Sequence, residues 1–328
     1  MTASPHSRRT VTRLVDGRVC AYDLAAEDRG PLSPVLVCSP APGDEVVDHT
    51  VAADLRRCYF TTPDAVVCVA PDGVEIWRSG LAPESAPRYG HRPGRVLSPD
   101  GRVLWVYRPD VMAGRGRPDQ WVALDAGSGA VVAQADLRTA GHGGVQLPHA
   151  ASGQVLLNVG EGQDGTAVYR ASLTGTGAGT GTGAGTGTGT GLDLFQYPWD
   201  DRCLIDLSPD GHRFMTVNHD QGDMAVHAFP GGEAVFTLSV DAFGHDPDDA
   251  CLEWSGGHLD PDTVIVTVVG ETEDEEEWFR HYRVDARSGR VRGEFDARGK
   301  DPSDIHPLGD GTWLTTDPSG HPVRWTDS

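Results

Sequence analysis

The sequence of 328 residues lacks the cysteine and apolar patterns that would assign it to several common classes. Its six cysteines stand at positions 20, 38, 58, 68, 203 and 251 with no CxxC pair, which argues against a zinc site and a disulfide framework. The longest apolar run, 264–269, is far too short to span a bilayer, and residues 1–9 lack the apolar stretch of a signal peptide. We therefore expect a reduced, cytoplasmic protein with no membrane segment.

Basic residues are also scarce. There are 27 lysines and arginines against 48 aspartates and glutamates, which gives a formal charge of −21 and a pI near 4.8. A surface of this sign repels phosphate backbones, so nucleic acids and anionic membranes are improbable partners. We expect a monomer whose electrostatically favoured partners are cations and basic proteins.

Local motifs of catalysis are missing as well. The sequence has no GxSxG, no Walker loop, no GxGxxG between a strand and a helix, and no HxH or HExxH spacing among its 13 histidines. No segment has a sustained helical period. These absences favour an all-β protein and give no local indication of an enzyme.

The sequence does contain a strand-like segment that is repeated seven times, and each copy ends in a turn of small residues. The copies begin at Arg18, Val74, Trp121, Ala167, Met224, Tyr282 and Pro322. A period of roughly 40–50 residues with four short strands per unit is typical of β-propellers, in which four-stranded sheets stack around a channel. Turns such as Ser98–Gly101 and Ser208–Gly211 separate the first two strands of a unit.

We predict a single propeller domain over residues 10–328, with seven four-stranded blades and six as the alternative count. The chain stops soon after the seventh copy, so an N-terminal strand is expected to complete the last blade. Residues 1–9 are expected to be disordered. The tract 174–191, in which glycine alternates with threonine or alanine, is expected to form a disordered loop in the fourth blade.

Aspartates precede the strands expected to lie nearest the channel. Asp200–Leu204 matches Asp248–Leu252, and Asp54–Tyr59 is a looser third copy. Convergence of these carboxylates at one channel mouth would form a weak calcium site, for which we single out Asp201, Asp249, Asp304 and His306. The alternative is that each aspartate caps a local turn or pairs with Arg56, Arg57 or Arg202. No other cofactor is expected.

Three further segments have both a functional and a plain interpretation. Trp199, with Asp200 and Arg202, is placed to contact a ligand at the channel mouth, although most of the tryptophans are expected to pack between blades. The acidic run Glu271–Glu277 is expected to be a solvated loop tip, with a patch for a basic partner or loosely held calcium as the functional alternative. The basic stretch Gly114–Asp119 is expected to be a solvated connection, with anion binding as the alternative.

The turn motifs carry a resemblance. The chain resembles the broad WD40-like and quinoprotein-like β-propeller superfamilies of bacteria through the segments Leu97–Gly101, Leu207–Gly211, Leu124–Gly129 and Val284–Gly289. It departs from true WD40 proteins because Trp-Asp occurs only at Trp199-Asp200, outside the usual phase. It also lacks the tryptophan-docking motif of pyrroloquinoline quinone enzymes, so the resemblance implies a fold and no cofactor.

The leading hypothesis is a non-catalytic scaffold that binds a protein partner through its loops or channel mouth. Two alternatives stay open: a metal-dependent, lactonase-like propeller hydrolase, and a sensor of a small ligand or cation. Both would use the same channel mouth, and fold alone does not choose among the three.

Overall fold

The computed structural model describes residues 10–25, 29–86, 90–175, 191–272, 274 and 276–327. The prediction of disorder for residues 1–9, and for 176–190 of the glycine-rich tract, lies outside these ranges. At the two ends of that tract, Thr174 and Gly191 are paired strand residues. None of the helices in the described ranges is long and apolar enough to cross a membrane.

The chain folds into seven antiparallel sheets whose strands are numbered here β1–β27 in chain order. These sheets are divided between two compact units. The first comprises Met1–Glu27, Ser33–Asp164 and Tyr169–Gln196; the second comprises Asp28–Leu32, Gly165–Val168 and Tyr197–Ser328. The assignment of residues 10–328 to one domain stays a prediction.

The first four sheets hold nearly all the strands of the first unit. The first sheet contains β1 (Thr10–Val15), β2 (Arg18–Asp23) and β4 (Leu36–Cys38). The second contains β5 (Asp48–Val51), β6 (Cys58–Thr62), β7 (Ala65–Val69) and β8 (Glu75–Gly80). The third contains β9 (Gly94–Leu97), β10 (Val103–Arg108), β11 (Gln120–Asp125) and β12 (Val131–Asp136), and the fourth β13 (Gly143–Pro148), β14 (Val155–Gly160), β15 (Thr166–Thr174) and β16 (Gly191–Gln196).

The remaining three sheets lie in the second unit. The fifth contains β17 (Arg202–Leu207), β18 (Arg213–Asn218), β19 (Asp223–Ala228) and β20 (Ala234–Ser239). The sixth contains β21 (Ala250–Asp260), β22 (Thr263–Glu271), β23 (Glu277–Asp285) and β24 (Val291–Phe295). The seventh contains β25 (His306–Pro307), β26 (Thr312–Thr316), β27 (Pro322–Thr326) and β3 (Gly30–Pro31), and short 3₁₀ helices occupy Gly162–Asp164 and Val240–Phe243.

The repeated turn explains why the first two strands of a sheet form a hairpin. In the third sheet, Ser98 Oγ donates to Asp100 Oδ1 at 2.6 Å, and the Gly101 amide donates to the Ser98 carbonyl at 2.8 Å. Gly101 has φ +72°, a conformation that costs glycine little. The fifth sheet repeats the contact between Ser208 and Asp210 at 2.6 Å, so the turn motif encodes the same local structure twice.

Within each unit, neighbouring sheets pack through their apolar faces. In the second unit, Met215 and Val226 of the fifth sheet share one buried cluster with Val264 and Val266 of the sixth. The first strands of successive sheets also contact one another, as β17 contacts β21 and β21 contacts β25. The first strand of each sheet therefore lies on the same side of this unit, as predicted for strands next to a channel.

The last sheet takes its outer strand from near the N-terminus, as predicted. Val323 pairs with Pro31, and Arg324 pairs with Gly30. The first sheet accordingly has three strands instead of four, because the segment between β2 and β4 pairs with β27. The seven sheets are the blades of a seven-bladed β-propeller, so the prediction of seven is confirmed and the alternative of six is wrong.

Candidate functional site

The sixth sheet contains an irregularity in its first strand that shapes the surface beside it. Leu252 pairs with Val268, but the next pair is Gly256 with Val266, so residues 253–255 of β21 face Thr267 alone. This is a bulge with two extra residues. Ser255 Oγ fixes it by donating to the Pro302 carbonyl at 2.8 Å, and it also lies 2.9 Å from Thr267 Oγ1.

The acidic run forms the end of a long hairpin in the same sheet. Strands β22 and β23 stay paired as far as Glu271 and Glu277. The Thr272 amide donates to the Glu276 carbonyl at 2.9 Å, and the Glu276 amide donates to Thr272 Oγ1 at 3.1 Å. The prediction that this run joins two strands of the sixth blade is confirmed.

One face of the sheet presents an apolar row below this acidic tip. Residues directly opposite each other in an antiparallel sheet share a face. Cys251 pairs with Val269, and Val269 pairs with Phe279, so the three side chains lie side by side across three strands. All three are half-buried. Burial raises the pKa of the Cys251 thiol, which is therefore protonated at neutral pH.

A cleft of about 1020 Å³ is lined by this row and, on the opposite face of the sheet, by Ala250, Gly270 and Trp278. Segment 300–302, which precedes the seventh sheet, forms part of its wall. Its carboxylates come from three segments of the chain: Asp248, Asp249, Glu253, Glu271, Glu277 and Asp301. Lys300, the single lysine of the sequence, is the one basic residue among the described residues that line it. We call this site the acidic cleft.

The charge of the acidic cleft is uncompensated. Among the described residues of the lining, six carboxylates and one ammonium give a formal charge of −5. Within the described ranges, none of the six carboxylates forms an ion pair, whereas carboxylates elsewhere in this unit do, such as Asp223 with Arg202 and Asp262 with Arg287. An open site of this charge attracts cations and basic segments.

Two aromatic side chains give the acidic cleft its apolar surface. Phe279 belongs to the row described above, and its ring contacts the buried ring of His281 edge-on at 5.6 Å. Burial lowers the pKa of His281, so this imidazole adds no positive charge at neutral pH. Trp278 is half-buried and packs against the ring of His245 at 4.7 Å, while part of it still lines the cleft.

The predicted metal ligands are only partly brought together. Asp249 lines the acidic cleft beside Asp248 and Asp301, whereas Asp201 Oδ2 accepts a hydrogen bond from Asn218 Nδ2 at 2.9 Å. Asp304 Oδ2 accepts the Lys300 amide at 3.3 Å.

His306 is exposed on β25. In the described part of the chain, no group of three or more histidine, cysteine, aspartate or glutamate side chains is arranged to hold a metal ion. The calcium assignment stays a prediction.

The three predicted binding residues are engaged within their own unit. The Trp199 ring stacks on Tyr197 with centroids 4.9 Å apart, and the ring of His227 lies 4.5 Å away. Arg202 pairs with Asp223, and the Asp200 carbonyl accepts the Thr166 amide at 2.9 Å. Their role in ligand binding stays a prediction.

Two sequence expectations are wrong, the second only in part. Cys58 begins the second strand of its sheet, so Asp54 follows a first strand instead of preceding one and caps the Arg56 amide at 3.0 Å. The expectation of a solvated connection at Gly114–Asp119 holds for Gly114, Gly116 and Pro118, which are exposed. It is wrong for Arg115, whose side chain is fully buried and pairs with Asp110 at 2.9 Å. Arg115 contacts Asp110, five residues earlier, and Asp64, 51 residues earlier, and no spacing rule predicts the second contact.

Sequence reasoning identified the acidic run and Asp249 but missed Glu253, Phe279 and Lys300. Glu253 lies two residues after Cys251 in β21, and both line the acidic cleft. Phe279 and Lys300 are 21 residues apart, and only the fold places them at one site. Cys251, Val269 and Phe279 lie on three different strands. The alternation of side chains within each strand was the available indication that they share a face.

Solved structures of other proteins resemble this chain at low identity. BamB from Moraxella catarrhalis is 14% identical with a TM-score of 0.49, over 99% of this chain and 93% of that one. The dihydro-heme d1 dehydrogenase NirN is 14% identical with a TM-score of 0.50, over 100% of this chain and 65% of that one, so this chain spans less than two thirds of NirN. No protein-family model and no curated protein matches the sequence. At these identities the likeness shows the fold alone, which is the β-propeller described above.

Proposed function

We propose that this protein is an interaction propeller that binds a basic segment of a protein partner in the acidic cleft. The observation that carries the proposal is the cleft itself, with a volume of about 1020 Å³ and an apolar row on one sheet face. Six carboxylates line it that form no ion pair within the described part of the chain. A site of this volume accommodates several residues of a peptide.

The electrostatic part of the proposal concerns recognition and rate. The partner's arginines or lysines would meet Glu271 and Glu277 at the exposed rim and Glu253 deeper in the cleft. Complementary charge accelerates association, and exposed pairs are screened by salt. Binding should therefore weaken as ionic strength rises.

The apolar part concerns affinity. Val269 and Phe279 offer half-buried surface that a partner's aliphatic side chain would cover. The Trp278 ring already carries the guanidinium of Arg280 at 5.7 Å, so the partner's arginines are expected to pair with the carboxylates. The preferred partner segment therefore mixes arginine with aliphatic residues and is not uniformly charged.

The test is calorimetric titration with an arginine–valine peptide at 50 and 300 mM salt. Neutralising the rim with Glu271→Gln and Glu277→Gln together should weaken binding about tenfold, because two unit charges are removed. Glu233→Gln is the matched control: Glu233 is an exposed glutamate of the same unit that does not line the cleft. Equal loss of affinity in both variants, or undiminished binding by the rim variant, would overturn the proposal.

The metal-dependent hydrolase and the cation sensor stay predictions. Elemental analysis of protein purified without chelator separates them from the scaffold, since both need a bound ion. A stoichiometric metal lost in Asp201→Ala would favour them. Loss of the metal only in Asp249→Asn would indicate a cation site in the acidic cleft. The cation and the peptide would then compete for the same site.

A further inference from the structure

Strand β23 extends beyond its outer neighbour. Its pairing with β22 runs from Glu277 to Asp285, but its pairing with β24 begins only at His281. The four residues from 277 to 280 therefore form a sheet edge on the side where β24 would continue. Glu277 and Phe279, both in this stretch, line the acidic cleft.

The ladder shows which backbone groups point out from this edge. The Thr272 amide donates to the Glu276 carbonyl, so hydrogen-bonded pairs fall at every second position from there, including Gly270 with Trp278. Glu277 and Phe279 lie between these positions. Their N–H and C=O groups point away from β22, toward the open edge.

An independent bond agrees with this assignment. The Glu271 amide donates away from β23, to the Asp249 carbonyl at 3.4 Å, as expected for a residue between hydrogen-bonded pairs. On the outer side, the first partner of β23 is Phe295, opposite His281. Within the described ranges, the outward backbone groups of Glu277 and Phe279 have no hydrogen-bond partner.

We propose that the basic partner segment binds in extended form and adds a strand to this edge of β23. An unpaired edge is a template for main-chain hydrogen bonds, and alternate side chains of the added strand then supply specificity. The charge of the acidic cleft favours a basic occupant. Alternate side chains of the added strand would lie beside Glu277 and Phe279 on one face of the sheet, and the others would lie beside Trp278 on the opposite face. This inference rests on the proposed function and specifies its binding mode.

The two faces demand different side chains. The side chains of the added strand on the Phe279 face would contact the apolar row, which Glu271 borders. This face therefore accepts aliphatic residues, with arginine near the rim. The opposite phase meets Trp278 and Arg280, and Arg280 is paired with Glu294 at 2.6 Å. A segment that alternates arginine and valine satisfies the first face while its backbone occupies the edge.

N-methylation of the peptide backbone tests this mode directly. An added strand uses the N–H groups of alternate residues only. The probe is an eight-residue arginine–valine peptide in two isomers, with two central N-methyl groups in either the odd or the even phase. Both isomers carry the same conformational cost of methylation, so each serves as the control for the other.

We expect one isomer to bind about tenfold or more weakly than the other, since it loses the hydrogen bonds to the edge. Equal affinities of the two isomers, with the unmethylated peptide binding normally, would overturn strand addition while leaving the acidic cleft as the site. Failure of the unmethylated peptide to bind would overturn both proposals.

Amide hydrogen exchange gives a second readout on the protein itself. The Phe279 amide points to the open edge and should become protected when the peptide binds. The Trp278 amide already faces β22 and should change little. Protection of neither amide in a saturated complex would contradict the added strand.

Discussion

The ring of Trp278 lies directly over Gly270, its partner across the β22–β23 ladder. A Cβ atom built on Gly270 would come within 2.5 Å of Trp278 Cζ2 and 2.7 Å of the Asp249 carbonyl oxygen. The glycine therefore allows the indole to pack against the sheet at the wall of the acidic cleft. Gly270 thus lies between Trp278 and Asp249, the aspartate that precedes β21.

Gly270→Ala should disturb both neighbours, because the added methyl meets a ring on one side and backbone on the other. We expect a loss of about 1–3 kcal/mol in unfolding free energy, the usual cost of overpacking, and weaker peptide binding. Urea denaturation and calorimetry measure the two effects. Gly222→Ala is the control, since its Cβ would meet nothing within 4 Å; equal effects of the two substitutions would contradict the packing argument.

Replacing Arg115 should destabilise the protein far more than replacing an exposed arginine. Its buried guanidinium pairs with Asp110 at 2.9 Å and Asp64 at 2.8 Å. Arg115→Met removes the fully buried partner of Asp110, which keeps its pairs with Arg108 and Arg117. It also removes the hydrogen bonds that Arg115 donates to the Pro63 and Pro83 carbonyls, so it should cost about 3 kcal/mol.

The matched control is Arg287→Met. Arg287 pairs with Asp262 at 2.7 Å, with 68% and 53% of the two side chains exposed. This substitution should change stability by about 1 kcal/mol or less. Similar denaturation midpoints for the two variants would show that the buried pair has no special importance.

The contrast between these two arginines shows how far the sequence predicts the structure. Turn motifs and strand alternation are local, so blades, hairpins and the seven-fold count were predictable. The burial of Arg115 depends on Asp64, 51 residues away. Similarly, the acidic cleft combines β21, the β22–β23 hairpin and residues 300–302, and no spacing rule connects them. The acidic run was visible in the sequence, but the apolar row and the open strand edge were not.

Acid should destabilise the fifth sheet through His227. Burial lowers the pKa of this imidazole to about 4. Its Nδ1 lies 3.0 Å from the Gly232 carbonyl oxygen and its Nε2 2.9 Å from Thr216 Oγ1, which fits a neutral ring donating to the former and accepting from the latter. The unfolded chain has an ordinary histidine pKa of about 6.5.

Because the unfolded state binds this proton first, the contribution of His227 is fully present above pH 6.5 and is lost as pH falls toward 4. The loss at pH 4.5 should be about 2–3 kcal/mol. Denaturant unfolding at pH 7.0 and 4.5 measures it. His227→Phe should be less stable at pH 7.0 yet lose less on acidification; an unchanged pH dependence would refute the assignment.

The most direct test of peptide binding in the acidic cleft uses Lys300. Because the sequence has one lysine, reductive methylation with ¹³C formaldehyde labels one side chain besides the terminal amine, and it keeps the charge. Titration with the arginine–valine peptide is then followed by NMR. The account predicts that the Lys300 resonance shifts and saturates with the calorimetric Kd. A peptide that binds by calorimetry while this resonance stays fixed would contradict it.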